Sequence, residues 1–128
     1  ISLNMQKIIF IVLFLITTNC FSQELNCSAF KNGTFTYTNP DYADLLTIRT
    51  DSIQIDTYPK LNLEMTSTVT WLSDCKYQMV YTKVNDPKME PIIGVKYVIE
   101  IIEINDNKIM CQTDSGDFIV KQEMIKLK

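Results

Sequence analysis

The run "WLSDCKYQMVYTK" at 71–83 gathers a tryptophan, an aspartate, a cysteine and two tyrosines. Cys75 offers a thiol, but a cysteine nucleophile needs a base or a positive cluster to hold it as thiolate. The chain has no histidine, which removes the usual acid–base group at neutral pH and the commonest metal ligand. Cys27, Cys75 and Cys111 are dispersed and lack the paired spacing of a structural zinc site. No catalytic residue, metal or cofactor is therefore expected. Carboxylates are the next candidates. Asp41 and Asp44, Asp51 and Asp56, and Asp114 and Asp117 fall near turn signals. A buried pair could run a glycosidase-like hydrolysis, whereas turn aspartates are ordinarily solvated and bond the nearby backbone. Solvated turn residues are the expectation. Glu100 and Glu103 interrupt an apolar strand, and Glu100 would face a ligand if it pointed into a barrel. Trp71, Tyr77 and Tyr81, with Tyr97 and Tyr37 elsewhere in the sheet, would either line a small-molecule pocket or fill a core with their hydroxyls near its rim. The candidate ligand-binding set is Trp71, Tyr77, Tyr81, Tyr97 and Glu100.

Those side chains need strands to position them. In "LNLEMTSTVTWL", Leu61, Leu63, Met65, Val69 and Trp71 share one face, while Asn62, Glu64, Thr66, Thr68 and Thr70 share the other. That period of two marks a strand with one side on a core. Beta-branched and aromatic residues are frequent throughout, as pleated sheets favour. Turn signals divide the chain into about eight short strands joined by short connections, the pattern of antiparallel neighbours. "LLTIRT" and "SIQIDT" meet at Asp51-Ser52 as a hairpin, and Asn39 or Asp41 could cap one helical turn in "NPDYADLL". "VIEIIEI" loses its alternation at Ile101-Ile102, as a bulge would cause. "FIVKQEMIKLK" reads as a last strand, with a helix as the alternative. The fold class expected is all-β, an up-and-down barrel whose closure removes exposed edges, with a β-sandwich as the alternative.

The beginning of the chain has a different purpose. Met5-Gln6-Lys7 precedes "IIFIVLFLITTNCFSQ", a short basic start, an apolar stretch and then small or polar residues, which is the order of a signal peptide. Ile8–Ile16 is too short for a membrane span of roughly 20 residues. The expected division is 1–22 for upstream residues and signal peptide, and 23–128 for a single small β domain. A lipid anchor on Cys20 is the lesser alternative, because Asn19 stands where a lipoprotein signal favours a small residue. Export places the remaining cysteines in oxidising surroundings. Three pairings are possible; Cys27–Cys75 is favoured because it would tie a loose N-terminal segment to the sheet, leaving Cys111 as a buried small hydrophobe. With 12 basic and 15 acidic residues the net charge is −3, which argues against a nucleic-acid partner.

At "CSAFKNGTFTY", "IRTDSIQIDT", "WLSDCKYQMVYTKV", "GVKYVIEIIEI" and "MCQTDSG", the chain resembles small exported proteins of unknown function from Bacteroidetes, particularly flavobacteria. The resemblance covers nearly all of residues 27–128. Some members of that group are named DNA topoisomerase IV, a role for which this chain lacks the length, a glycine-rich nucleotide motif and a basic surface. "GTF" near the start, with a tryptophan–cysteine segment midway, is also similar to lipocalin-like domains and implies a barrel. The expected function is an exported periplasmic or secreted barrel that binds a small apolar or amphipathic ligand, or an envelope protein. The alternatives are an interaction module with a filled core and, third, a hydrolase. A cavity lined by Trp71 and tyrosines would favour the ligand; a solid interior would favour the module.

Overall fold

The computed structural model describes residues 24–128; the expectations for the signal peptide, its cleavage site and Cys20 lie outside the described residues. Eight strands form a closed antiparallel barrel: β1 Gly33–Tyr37, β2 Leu46–Arg49, β3 Ile53–Tyr58, β4 Leu63–Ser73, β5 Lys76–Val84, β6 Lys96–Asn105, β7 Lys108–Asp114 and β8 Ile119–Lys126. Each pairs with the next, and β1 closes the ring on β8 through Phe35–Lys126, Thr36–Ile125 and Tyr37–Met124. The C-terminal segment is a strand, and the sandwich alternative does not occur. Among the described residues no helix is long and apolar enough to cross a membrane.

Alternation builds most of the interior. Phe35, Met65, Val69, Tyr77, Met79, Ile99, Ile101, Ile109, Cys111 and Met124 are buried in one core. β6 and β7 slip register between Ile101 and Glu103. This bulge lets Ile101 face inward and still returns Ile104 to the core. Leu61 corrects the sequence reading: it lies in the 3-10 turn Pro59–Leu61 before β4 and is 70% exposed. That turn ends on Asn62 in the left-handed region at φ 48°, so the inward face begins at Leu63. The cap in "NPDYADLL" is Asn39, whose side chain accepts from the Asp41 N–H at 3.0 Å.

β2 and β3 invert the usual rule. Their inner face carries Thr47, Arg49, Gln54 and Asp56, all buried, while Ile48 and Ile53 are 40% and 43% exposed. The register pairs Thr47 with Asp56 and Arg49 with Gln54, so four polar side chains adjoin on the inside of an otherwise apolar barrel. One end of the barrel is closed by the segment before β1. Cys27 and Phe30 are buried beneath the ends of the strands. Cys27 is bonded to Cys75 in the β4–β5 turn, with Cα atoms 5.3 Å apart, and Lys31 pairs with Asp74 at 3.4 Å. The chain then enters β1 at Gly33, where φ is +141° and a Cβ would overlap the Lys128 carbonyl, so the close approach of the two chain segments requires glycine.

A disulfide spanning 48 residues restricts the unfolded chain by an amount worth about 4 kcal/mol in the loop-entropy account. Replacing both cysteines (Cys27→Ser with Cys75→Ser) is expected to lower unfolding stability by about 2–4 kcal/mol, read from urea midpoints. An unchanged midpoint would show that the bond adds no net stability to the closed barrel.

Candidate functional site

Arg49 ends β2 and points into the barrel beside the plug, with 1% of its surface exposed. It donates to the Lys31 and Phe30 carbonyls, each at 2.8 Å. It also donates to Gln54 Oε1 at 2.9 Å and to the Tyr77 hydroxyl at 2.8 Å. Its guanidinium lies 4.8 Å from the Phe35 ring centroid and 4.6 Å from that of Tyr77, within the range where an aromatic face attracts a cation. Trp71 completes this cluster, 5.8 Å from the guanidinium and 4.8 Å from the Tyr77 centroid.

Gln54 hands the polar chain inward. Its Nε2 donates to both oxygens of Asp56, at 3.2 and 3.3 Å. Asp56 also accepts from Thr47 Oγ1 at 2.6 Å and from the Tyr81 hydroxyl at 3.3 Å. All three partners are neutral. Burial therefore dominates and raises the Asp56 pKa, with the hydrogen bonds from Thr47, Gln54 and Tyr81 and the more distant Arg49 opposing it. Burial likewise pushes the phenols of Tyr37 and Tyr81 upward, and the nearby Asp56 adds to both. The Tyr77 phenol is raised by burial against the pull of Arg49.

Beyond Asp56 the interior is not filled. A cavity of about 190 Å³ is lined by Tyr37, Tyr77, Tyr81 and Tyr97, with Asp56 and Gln54 on one wall. Met79, Ile99, Cys111 and Met124 supply its apolar surface, and Thr113 and Gln122 add neutral polar groups. The Cys111 thiol is buried and pushed up to about 11, so at neutral pH it lines the cavity as an uncharged group. The Tyr81 and Tyr97 rings meet edge to face, 5.7 Å apart at 85°. A second, wider depression of about 570 Å³ lies at the end away from the plug, formed with Tyr42, Tyr58, Leu61 and Met89.

The candidates named from the sequence divide here. Tyr77, Tyr81 and Tyr97 come together around the cavity. Trp71 does not line it and packs at the plugged end. Glu100 lies between the inward Ile99 and Ile101 on β6 and borders an outer groove with Ser73 and Cys75. Asp56, expected in solvent near a turn, is 4% exposed. It stands within β3 rather than in the hairpin turn, and the strand's pleat sends it inward. Asp41, Asp51, Asp114 and Asp117 are exposed. Arg49, Gln54 and Thr47 were not singled out in the sequence. Their signal was present as a period of two in "LTIR" and "IQID", but the same period fits either face. The Cys27 and Cys75 sulfurs lie within 4.8 Å of an Asp74 oxygen, yet as a disulfide they are not thiolate ligands.

No protein-family model, no curated protein and no solved structure matches this chain.

Because burial raises the Asp56 pKa, the folded protein holds that proton more tightly than the unfolded chain, where an aspartate titrates near 3.9. Asp56 therefore lowers stability progressively as pH rises from about 4 through its folded pKa. Asp56→Asn removes this titration. Measured by urea unfolding, the stability difference should move in the variant's favour between about pH 4 and neutrality. A difference that stays flat across that range would refute the raised pKa.

Proposed function

We propose that the protein is an exported binding protein of the cell envelope, periplasmic or secreted, that holds one small ligand inside its barrel. The observation that carries this reading is the 190 Å³ cavity with four tyrosines, Asp56 and Gln54 on its walls. Eight-stranded barrels have interiors just wide enough to be filled by side chains or to hold one small ligand, and this one is incompletely filled. A few polar groups converging on an apolar, aromatic hollow is the usual composition of a small-molecule site. The order of the strands supports a lipocalin-like up-and-down reading, and the signal-peptide pattern of 1–22 supports export.

The size of the hollow narrows the ligand. It is comparable to the roughly 150 Å³ cavity that accommodates benzene in another protein and smaller than the roughly 300 Å³ at which drug-sized pockets begin. A single ring or a short chain fits; a long acyl chain does not. An interaction module at the envelope is the second reading, favoured by the outward isoleucines Ile48 and Ile53 on β2 and β3.

Calorimetric titration with single-ring probes tests the first reading. At least one probe should bind with one-to-one stoichiometry, and Thr113→Phe, which projects a ring into the hollow, should weaken it at least tenfold. Binding left unchanged by that variant would place the probe outside the barrel.

A further inference from the structure

The charges around the cavity are unequal. Among the described residues that line it, Asp56 is the only carboxyl and there is no lysine or arginine. Arg49 is not at the cavity surface. Four hydrogen bonds direct its guanidinium to the plug carbonyls, Gln54 and Tyr77, and the Tyr77 ring is packed against it. An anion entering the hollow would meet a carboxylate and find no cation.

Asp56 itself is a buried carboxylate whose hydrogen-bond partners, Thr47, Gln54 and Tyr81, carry no charge. Taking an ionised carboxylate out of water is costly unless a counter-charge accompanies it, so burial alone favours the protonated acid and an entering cation would favour the ionised form. The protein supplies dipoles but no adjacent cation. Tyr37, Tyr81 and Tyr97 surround the same space, and aromatic faces attract ammonium groups, most strongly when these are desolvated. The edge-to-face contact of Tyr81 with Tyr97 sets two rings at nearly a right angle, as in a cage rather than a stacking slot. Met79, Ile99 and Met124 leave an apolar wall for hydrocarbon.

We propose that the ligand is a small organic cation, an ammonium group on a single ring or short chain, with Asp56 as its counter-charge and the tyrosines as its cage. This inference rests on the ligand-binding reading above and refines it. It replaces a generally amphipathic ligand with one sign of charge, and it excludes carboxylate ligands such as fatty acids.

Three single-ring probes of similar size separate the possibilities: benzylammonium, benzyl alcohol and benzoate, titrated calorimetrically into the purified full chain at pH 7. Benzylammonium should bind at least tenfold more tightly than benzyl alcohol, and benzoate should not bind. In Asp56→Asn the ammonium and the alcohol should become equal within about threefold. A pH arm uses the wild-type protein alone and so does not depend on the variant's folding. Lowering the pH to 4.5 should weaken benzylammonium several-fold and leave benzyl alcohol unchanged. The groups facing Asp56 permit that assignment. Besides Arg49 on β2 and Tyr97 on β6, these are Tyr37, Tyr58, Tyr77 and Tyr81, all shifted upward, and Cys111, pushed up to about 11. If the alcohol binds as tightly as the ammonium, or the ammonium preference survives both Asp56→Asn and low pH, the cation proposal falls while the ligand-binding reading stands. If none of the three probes binds, the ligand-binding reading falls with it.

Discussion

A guanidinium taken out of water must find acceptors for its donors inside the protein, and Arg49 finds four of them at one end of this barrel. Two are the carbonyls of Phe30 and Lys31, which belong to the segment that closes that end. The plug and the buried charge therefore require each other. Without the plug, Arg49 would lose half its acceptors; without Arg49, the plug's inward carbonyls would lose their partner. Three aromatic rings, Phe35, Tyr77 and Trp71, lie around the cation, so the end of the barrel is buried and polar at once. The Cys27–Cys75 bond and the Lys31–Asp74 pair secure the same segment from outside. The pair is partly exposed and contributes little energy; the disulfide provides the larger constraint.

From Arg49 the polar chain leads through Gln54 to Asp56. An amide can accept from a cation with its oxygen and donate to an anion with its nitrogen, so Gln54 satisfies both without bringing them together. The separation has an electrostatic consequence. A direct Arg–Asp pair would neutralise the interior, whereas the bridged arrangement leaves the carboxylate at the cavity wall with only neutral neighbours. The lining of the hollow thereby carries one carboxyl and no lysine or arginine among the described residues. Its tyrosines contribute hydroxyls and ring faces, and its methionines contribute a surface that can adapt to shape.

Much of this was legible in the sequence. The period of two in β4 and β5 placed Met65, Val69, Tyr77, Met79 and Tyr81 on inward faces, because adjacent side chains on a strand must point to opposite sides. The broken alternation at Ile101-Ile102 marked the register shift in β6. The disulfide was also anticipated, since Cys27 and Cys75 are the two cysteines in loop-like contexts, while Cys111 sits within an apolar strand.

What the sequence determined by itself is which residues share a face; in β2 and β3 it did not determine which face is inside. In β2 and β3, isoleucines alternate with polar residues, and local pattern would place the isoleucines in the core. Barrel closure reversed this. The closing plug presents backbone carbonyls that only a donor such as Arg49 can satisfy, and once Arg49 faces inward, strand geometry and cross-strand register carry Thr47, Gln54 and Asp56 with it. The register of the β4–β5 hairpin, which sets Trp71 opposite Tyr77 and Tyr81 opposite Ser67, places Trp71 at the plug and Tyr81 beside the cavity. Chemistry of this kind depends on partners far away in the chain, such as Asp56 with Tyr81 and Arg49 with Tyr77, and those partners meet only when the ring of strands is complete.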